Sequence, residues 1–259
     1  MACAIIGGLL RTGMTAQQID VVEPFAPARE RLLTEFGITA HAAAELFPGE
    51  ASMVIWAVKP QMFGAAAQQA APYCSGALHL SVAAGINSDS IAGWLHSQRI
   101  IRCMPNTPAL IGKGISGLYA RPAVSQEDRD WAARVIGTTG AVVWLTTEEQ
   151  LDAVTALSGS GPAYMFYFME TMTNAGVEMG LERQQAYELA VATFIGAGEL
   201  ARASTEPPQT LREQVTSKGG TTHAAITCMD QSDMKTLFAK ALFAAHRRAG
   251  ELGREFGGK

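Results

Sequence analysis

The segment Val215-Thr216-Ser217-Lys218-Gly219-Gly220-Thr221-Thr222 sets adjacent glycines among hydroxyl side chains. Glycines without a Cβ let backbone N–H groups converge, and a helix starting near Thr222 would aim its positive end at the turn. Ser217, Thr221 and Thr222 add hydroxyl donors beside Gly219 and Gly220. Such a turn is suited to an anion, here a carboxylate. The helix-end field contributes only about 0.3–1 kcal/mol, up to ~2 when partly buried, so hydrogen bonds must supply most of the affinity. The plainer reading is an interhelical turn with a Thr N-cap. The apolar, helical surroundings favour function here, and His223 adjoins the turn.

Two other segments close buried strands. Ala57-Val58-Lys59-Pro60 follows a nearly all-apolar run, and ligands of open α/β sheets sit beyond the carboxyl ends of strands. Lys59 there suits a phosphate or ribose; otherwise it is a solvated strand end. Ser81-Val82-Ala83-Ala84-Gly85 has side chains small enough for a flat nicotinamide ring to reach the backbone, or is a tight turn with glycine at positive φ. Taken singly, both segments fit the plainer reading better. Ser158-Gly159-Ser160-Gly161-Pro162 reads as a strained loop ahead of a helix, or as a connector. His41, His79, His96, His223 and His246 lack metal-ligand spacing, and no paired acids, HExxH or GxSxG occur. His79 reads as a satisfied core histidine.

The elements that position these segments fall into two groups. Strands are expected at 19–22, 52–58, 77–82, 99–103, 115–119 and 141–145, the second and third buried on both faces as in a parallel sheet. Helices are expected at 27–36, 61–71, 88–96 (with Ser88 as N-cap) and 126–136. Alternating β and α indicates a doubly wound α/β domain over 1–146. From 147 to 259 only helices are expected, at 162–179, 183–203, 207–215 and 232–252. Faces such as Ala163-Tyr164-Met165-Phe166-Tyr167-Phe168-Met169 are apolar nearly all round, which indicates an obligate dimer.

Composition narrows the classes further. The 259 residues are 48% hydrophobic and 17% charged, with net charge −4, a globular composition without the basic surface that nucleic acid or anionic membrane attracts. No apolar run reaches the ~18–20 residues of a membrane helix, and residues 1–10 lack the basic flank of a signal peptide. Cys3, Cys74, Cys103 and Cys228 are scattered without a CxxC pair, as in a reduced, cytoplasmic protein.

Taken in order, these segments resemble the pyrroline-5-carboxylate reductase family along essentially the whole chain. The markers are Ala57–Pro60, Ser81–Gly85, Arg102-Cys103-Met104-Pro105-Asn106-Thr107-Pro108, Ser158–Tyr164 and, most specific, Val215–Thr222. The resemblance implies a Rossmann-like N-terminal domain and an all-helical C-terminal dimerisation domain. It implies active sites where one subunit's cofactor meets the partner's helical domain, in homodimers that assemble further into decamers of five dimers. By carry-over, Ala57, Val58, Lys59, Pro60, Val82, Ala83 and Ala84 line an NADPH or NADH site, NADPH being expected first. Ser217, Gly219, Gly220, Thr221 and Thr222 hold the substrate, with Thr222 the catalytic residue at the ring nitrogen.

The chemistry agrees with the residues. A protonated cyclic imine accepts hydride at carbon without a strong acid, whereas a ketone needs a donor for the developing oxyanion. No lysine occurs between Gly114 and Ser217, where related hydroxyacid dehydrogenases place one on the first long helix after the Rossmann domain. The sequence departs from the family at its start. Met1–Leu10 resembles the helix after the glycine-rich loop, so about ten residues of strand and loop are expected to be missing. Gly7-Gly8 is not that loop, and weak cofactor binding is expected of the chain as written. Glu23 suits a ribose 2′-hydroxyl, Arg29 or Arg31 a 2′-phosphate. The alternatives are a non-catalytic dimeric homologue and another imine or hydroxyacid reductase of this architecture.

Overall fold

The computed structural model describes residues 1–46 and 51–257, which form two compact units. Unit 1 comprises residues 1–160 and the chain from 245 onward; unit 2 comprises 161–244.

Unit 1 runs α1 (Ala2–Arg11), α2 (Ala26–Phe36), β1 (Met53–Trp56), α3 (Pro60–Ala70), β2 (Leu78–Ser81), α4 (Ser88–Leu95), β3 (Ile100–Met104), β4 (Gly114–Ala120), α5 (Gln126–Gly137), β5 (Gly140–Trp144) and α6 (Gln150–Val154). The strands form one sheet in the order β1-β2-β3-β4-β5. Period-2 alternation sends Leu78, Leu80, Ile101 and Cys103 to one face, against Ile5 and Leu9 of α1 and Val135 and Ile136 of α5. The other face packs Trp56 and Ile100 on Phe63 and Ala67 of α3 and Ile91 and Leu95 of α4. Helices therefore cover both faces, the α/β architecture expected.

Two expected features differ. Residues 19–22 form no strand: they make a single parallel bridge, Val22 with His41, and Ile19 and Val21 instead pack on Ile6, Leu32 and Ile38. The sheet is also mixed, because β4 pairs antiparallel with β3 while the other pairs are parallel. Only residues 105–113 separate those two strands. A parallel return needs a crossover of about a dozen residues or more, so the chain turns back.

Smaller corrections concern helix starts. Asn87, not Ser88, caps α4, its side chain accepting from Ser90 N at 2.7 Å. Ser158–Pro162 is not a strained loop: α6 continues through a π-turn over Thr155–Gly159, closed by Ser160 N–H to Thr155 O at 2.8 Å, directly into the next helix. His79 is only half satisfied. Trp56 Nε1–H donates to its Nδ1 at 3.2 Å, so Nε2 carries the proton, and among the described residues that buried atom finds no partner.

Unit 2 is helical: α7 (Gly161–Glu178), α8 (Arg183–Ala203), α9 (Pro208–Gln214), α10 (Thr221–Gln231) and the first part of α11 (Met234–Phe256). Gly176 lets α7 approach α8, since a Cβ there would lie 2.8 Å from Ala186 Cβ. Tyr164 and Phe168 meet Phe238 edge-on. Few side chains are buried, while Phe166 is 62% and Tyr167 68% exposed. Uncovered aromatic surface of that extent marks an interaction surface. Among the described residues no helix is long and apolar enough to cross a membrane.

Gly7 and Gly8 separate cleanly in their demands. A Cβ on Gly8 would meet Thr138 Oγ1 at 2.4 Å and its carbonyl oxygen at 3.0 Å, whereas one on Gly7 meets mainly the mobile end of Arg11 at 3.3 Å. Gly8 is thus where α1 closes on the end of α5. Thermal unfolding is expected to show Gly8→Ala destabilised by about 1–3 kcal/mol. Gly7→Ala is expected to be neutral or more stable by up to ~1 kcal/mol. Equal effects would contradict this packing.

Burial, with a smaller contribution from Arg99, lowers the His79 pKa to about 4. The unfolded imidazole titrates near ~6.5, so below that pH the unfolded chain binds a proton the folded one refuses. Stability is expected to be intact above about pH 6.5 and to fall towards pH ~4, by on the order of 3 kcal/mol in all. Urea unfolding at about pH 7 and about pH 4.5 checks it: His79→Leu should show a shallower loss than the parent, and an unchanged slope would refute the assignment.

Candidate functional site

The three parallel strands β1, β2 and β3 end at one edge of unit 1. Trp56 is level with Ser81 and Ser81 with Arg102, so the segments that follow, 57–60, 82–85 and 104–108, lie side by side. Val82 N–H donates to Trp56 O at 3.1 Å, which stitches the first two together. Ala57 and Lys59 are exposed, Val58, Pro60, Val82 and Ala84 half-buried, and Ala83 buried. The floor is therefore small and apolar, with Lys59 as its charged rim.

The helix starts along this edge are unequal. Lys59 occupies the N-cap position of α3 with no side-chain cap, and Pro60 opens the helix. Pro60 has no N–H and Met62 N–H donates to Lys59 O at 2.9 Å, so the exposed Lys59 ammonium is the main positive group at this helix start. The start of α4 is closed instead: besides the Asn87 cap, Ser88 N–H donates to Glu148 Oε1 at 2.6 Å and Ser88 Oγ to Glu148 Oε2. Arg102 completes this cluster, its Nη1 lying 2.7 Å from Glu148 Oε1 with both side chains largely buried. An anion arriving at the edge meets Lys59 and the positive end of α3, and a carboxylate at α4. Lys59 and the α3 start fit a phosphate group.

Gly85 has φ +75°, and a Cβ there would lie 3.3 Å from Leu252. Its turn is thus tight for two reasons. Glu23 accepts from Phe25 N–H at 2.9 Å through its side chain, and Arg29 donates to the carbonyls of Glu23 and Pro24. Acid and guanidinium share one turn, whereas Arg31 is drawn off to Glu35 at 2.7 Å. Burial pushes the Cys103 thiol up to about 12. It is an inert core group in β3.

Unit 2 carries the other segment. Val215 follows α9, Gly219 takes φ +76°, and Gly220 N–H donates to Ser217 O at 3.0 Å. A Cβ on Gly220 would sit 2.7 Å from Ser217 Oγ and 3.2 Å from Ser217 O, so a larger residue would have to turn the Ser217 hydroxyl aside. Gly220, rather than a threonine, is the N-cap residue of α10, and no side chain caps it. Thr221 and Thr222 are the first residues of that helix. Threonines deeper in helices, Thr171, Thr173 and Thr193, bond back to the carbonyl four residues earlier. Thr221 and Thr222 have no preceding turn, and among the described residues their hydroxyls and that of Ser217 make no hydrogen bond. Lys218 is exposed beside them. The result is a set of amides and hydroxyls ready to receive an anion.

Sequence reasoning quoted Asn106 without giving it a role, and missed Glu148. Asn106 Nδ2 donates to Ser158 O at 3.2 Å and its Oδ1 accepts from Ile115 N–H at 3.0 Å. A buried arginine needs a partner, so Arg102 was a usable signal for a nearby acid. Nothing local pointed to Glu148, 46 residues later. Among the described residues, no group of His, Cys, Asp and Glu could hold a metal ion.

Known proteins carry the same framework. The family model described as pyrroline-5-carboxylate reductase dimerisation matches residues 148–252. The pyrroline-5-carboxylate reductase of Pseudomonas aeruginosa is 42% identical over 99% of this chain and 95% of its own length. That of Haemophilus influenzae is 39% identical over 97% and 94%. The solved pyrroline-5-carboxylate reductase of Coxiella burnetii superposes with a TM-score of 0.90 at 33% identity, over 97% of this chain and 94% of that one. The Plasmodium falciparum enzyme, solved with NADP bound, gives 0.86 at 25% identity, over 96% and 93%. With sequence likeness over 99% of the chain and a fold that superposes at a TM-score of 0.90, this chain belongs to the pyrroline-5-carboxylate reductase family.

Proposed function

We propose that this protein is an oxidoreductase that reduces 1-pyrroline-5-carboxylate to L-proline with hydride from NADPH or NADH, the last step of proline biosynthesis. The observation that carries this reading is the turn before α10, where Gly219 at φ +76° and an uncapped helix start leave amides and hydroxyls unengaged. An imine carrying a carboxylate supplies the anion such a turn needs.

Residues 1–146 are proposed to carry the cofactor and 147–259 dimerisation and substrate binding. Ala57–Pro60 and Val82–Ala84 form the cofactor edge, with Lys59 and the α3 start taking phosphate charge. When bound, the nicotinamide cofactor supplies hydride. Ser217, Gly219, Gly220 and Thr221 hold the substrate carboxylate, and Thr222 aligns the ring nitrogen. The protonated imine already carries the positive charge that hydride neutralises, so the residues contribute alignment and exclusion of water rather than a proton. NADPH is the cofactor we expect first, with Arg29 beside the Glu23 turn as the group that meets its extra phosphate. The assembly proposed is a homodimer, five of which form a decamer, in the reducing cytoplasm where the free Cys3, Cys74, Cys103 and Cys228 persist.

Purified protein assayed with 1-pyrroline-5-carboxylate and either NADPH or NADH should consume the reduced pyridine and form proline. No turnover with both cofactors would overturn the reading. In the same assay Thr222→Ala is expected to raise KM for the imine and lower kcat/KM about tenfold or more, roughly 1.4 kcal/mol. An unchanged kcat/KM would remove Thr222 from the reaction. Light scattering should find a dimer or a multiple of it, and Phe166→Glu should shift the mass towards monomer. A parent protein that is monomeric at assay concentration would contradict the proposed assembly.

A further inference from the structure

Two stretches that stand out in the sequence, 102–108 and 158–164, acquire no part in binding from the reading above. In unit 1 they touch. Asn106 follows β3, and its one amide group works in two directions: Nδ2 donates to Ser158 O at 3.2 Å, and Oδ1 accepts from Ile115 N–H at 3.0 Å. The first bond reaches the π-turn and the second the start of β4. The fit around these bonds is close. A Cβ on Gly159 would lie 2.5 Å from Met104 Cε, and one on Gly117 would lie 2.9 Å from Val154 Cγ1. The π-turn is therefore seated on the ends of β3 and β4 through small residues, and Asn106 fastens it. Met104 lies next to the segment 82–85 across the β2–β3 pair. A π-turn is rare and frequently marks a functional site, because its wider ring displaces the side chains and carbonyls that follow.

We propose that Asn106 is a positioning residue for hydride transfer: by clamping Ser158–Ser160 to the end of β3, it fixes the wall that the pyridine ring meets beside Val82–Ala84. The inference rests on the reading that the nicotinamide lies at this edge. Only an amide serves both bonds. A carboxylate keeps the bond from Ile115 N–H but turns an oxygen towards the Ser158 carbonyl, and a methyl group loses both.

The test uses the full chain with Asn106→Asp and Asn106→Ala, and Asp128→Asn as a control. Asp128 pairs with Arg99 at 2.8 Å, at the opposite end of β3 from Asn106. The readouts are thermal unfolding, hydrogen exchange, NADPH affinity by calorimetry, and steady-state kinetics with NADPH carrying deuterium at the transferred position. In Asn106→Asp the Ser160 amide should exchange faster while the Ile115 amide stays protected; in Asn106→Ala both should speed up. Both variants should bind NADPH more weakly, lose about tenfold or more in kcat, and show a larger deuterium isotope effect as hydride transfer becomes limiting. Asp128→Asn should lose stability without changing the isotope effect. Wild-type kcat and isotope effect in Asn106→Ala would overturn the inference, as would an enlarged isotope effect in Asp128→Asn of equal size. Should the parent protein fail to reduce the imine, the functional reading falls by itself. The clamp is then judged on exchange and NADPH affinity, and unchanged values of both in Asn106→Ala overturn it.

Discussion

Residues 105–113 are all that joins β3 to β4, and they are too few to carry the chain across the sheet. The chain must reverse. It does so through a 3-10 turn, Thr107–Ile111, ended by Gly112 at φ +70°. Beyond it, β4 runs back along β3, with Met104 level with Gly117. β1, β2 and β3, made parallel by the α3 and α4 crossovers, end together at one edge. The reversal brings the start of β4 past that edge, close enough for Ile115 N–H to reach Asn106. The space is tight: a Cβ on Gly114 would lie 2.9 Å from Ala109 N, and one on Gly140 would lie 2.0 Å from Gly114 O. Glycine at these points is the condition for folding the connection so short.

Along that edge, electrostatics sorts the binding surface more sharply than shape does. The exposed Lys59 marks the start of α3, while Glu148 and Asn87 shut α4. The buried pair of Arg102 and Glu148 costs desolvation that their mutual attraction and the Ser88 bonds offset. Its consequence is local: Glu148, just ahead of α6, is tied to the end of β3, which also helps to set where the π-turn begins. Unit 2 uses the other half of the same principle. Its turn before α10 leaves a helix start open, and the glycines there serve close backbone folding, as Gly8 does in α1 for a different end.

Much of this was legible in the order of residues. Nearly continuous apolar runs marked β1 and β2, and the change to helices after β5 is visible in periodicity alone. The Gly-rich and hydroxyl-rich segments stood out, and so did their positions beside strand ends and a helix start. Local patterns could not reveal pairing direction: Ile115–Tyr119 reads the same whether it runs with or against β3. Residues 19–22 carry strand-like chemistry, yet their pairing partner supplies a single bridge. Ser158–Pro162 has loop-like composition, but the π-turn is decided by packing on Met104 and Asn106, far away in sequence. The Asn87 cap was hidden by the neighbouring Ser88, an equally good capping type, whose side chain is claimed by Glu148.

Unit 2 leaves large aromatic and aliphatic side chains uncovered, including Phe166, Tyr167, Ile195 and Phe243, which a helical unit of this size cannot bury by itself. A crystal structure of the protein with NADPH and proline tests the account most directly. The account predicts the pyridine ring over Val82–Ala84, a phosphate at the α3 start near Lys59, and the proline carboxylate on the amides and hydroxyls of Ser217–Thr222. Proline bound elsewhere with that turn empty, or a pyridine ring away from the ends of β2 and β3, would contradict it.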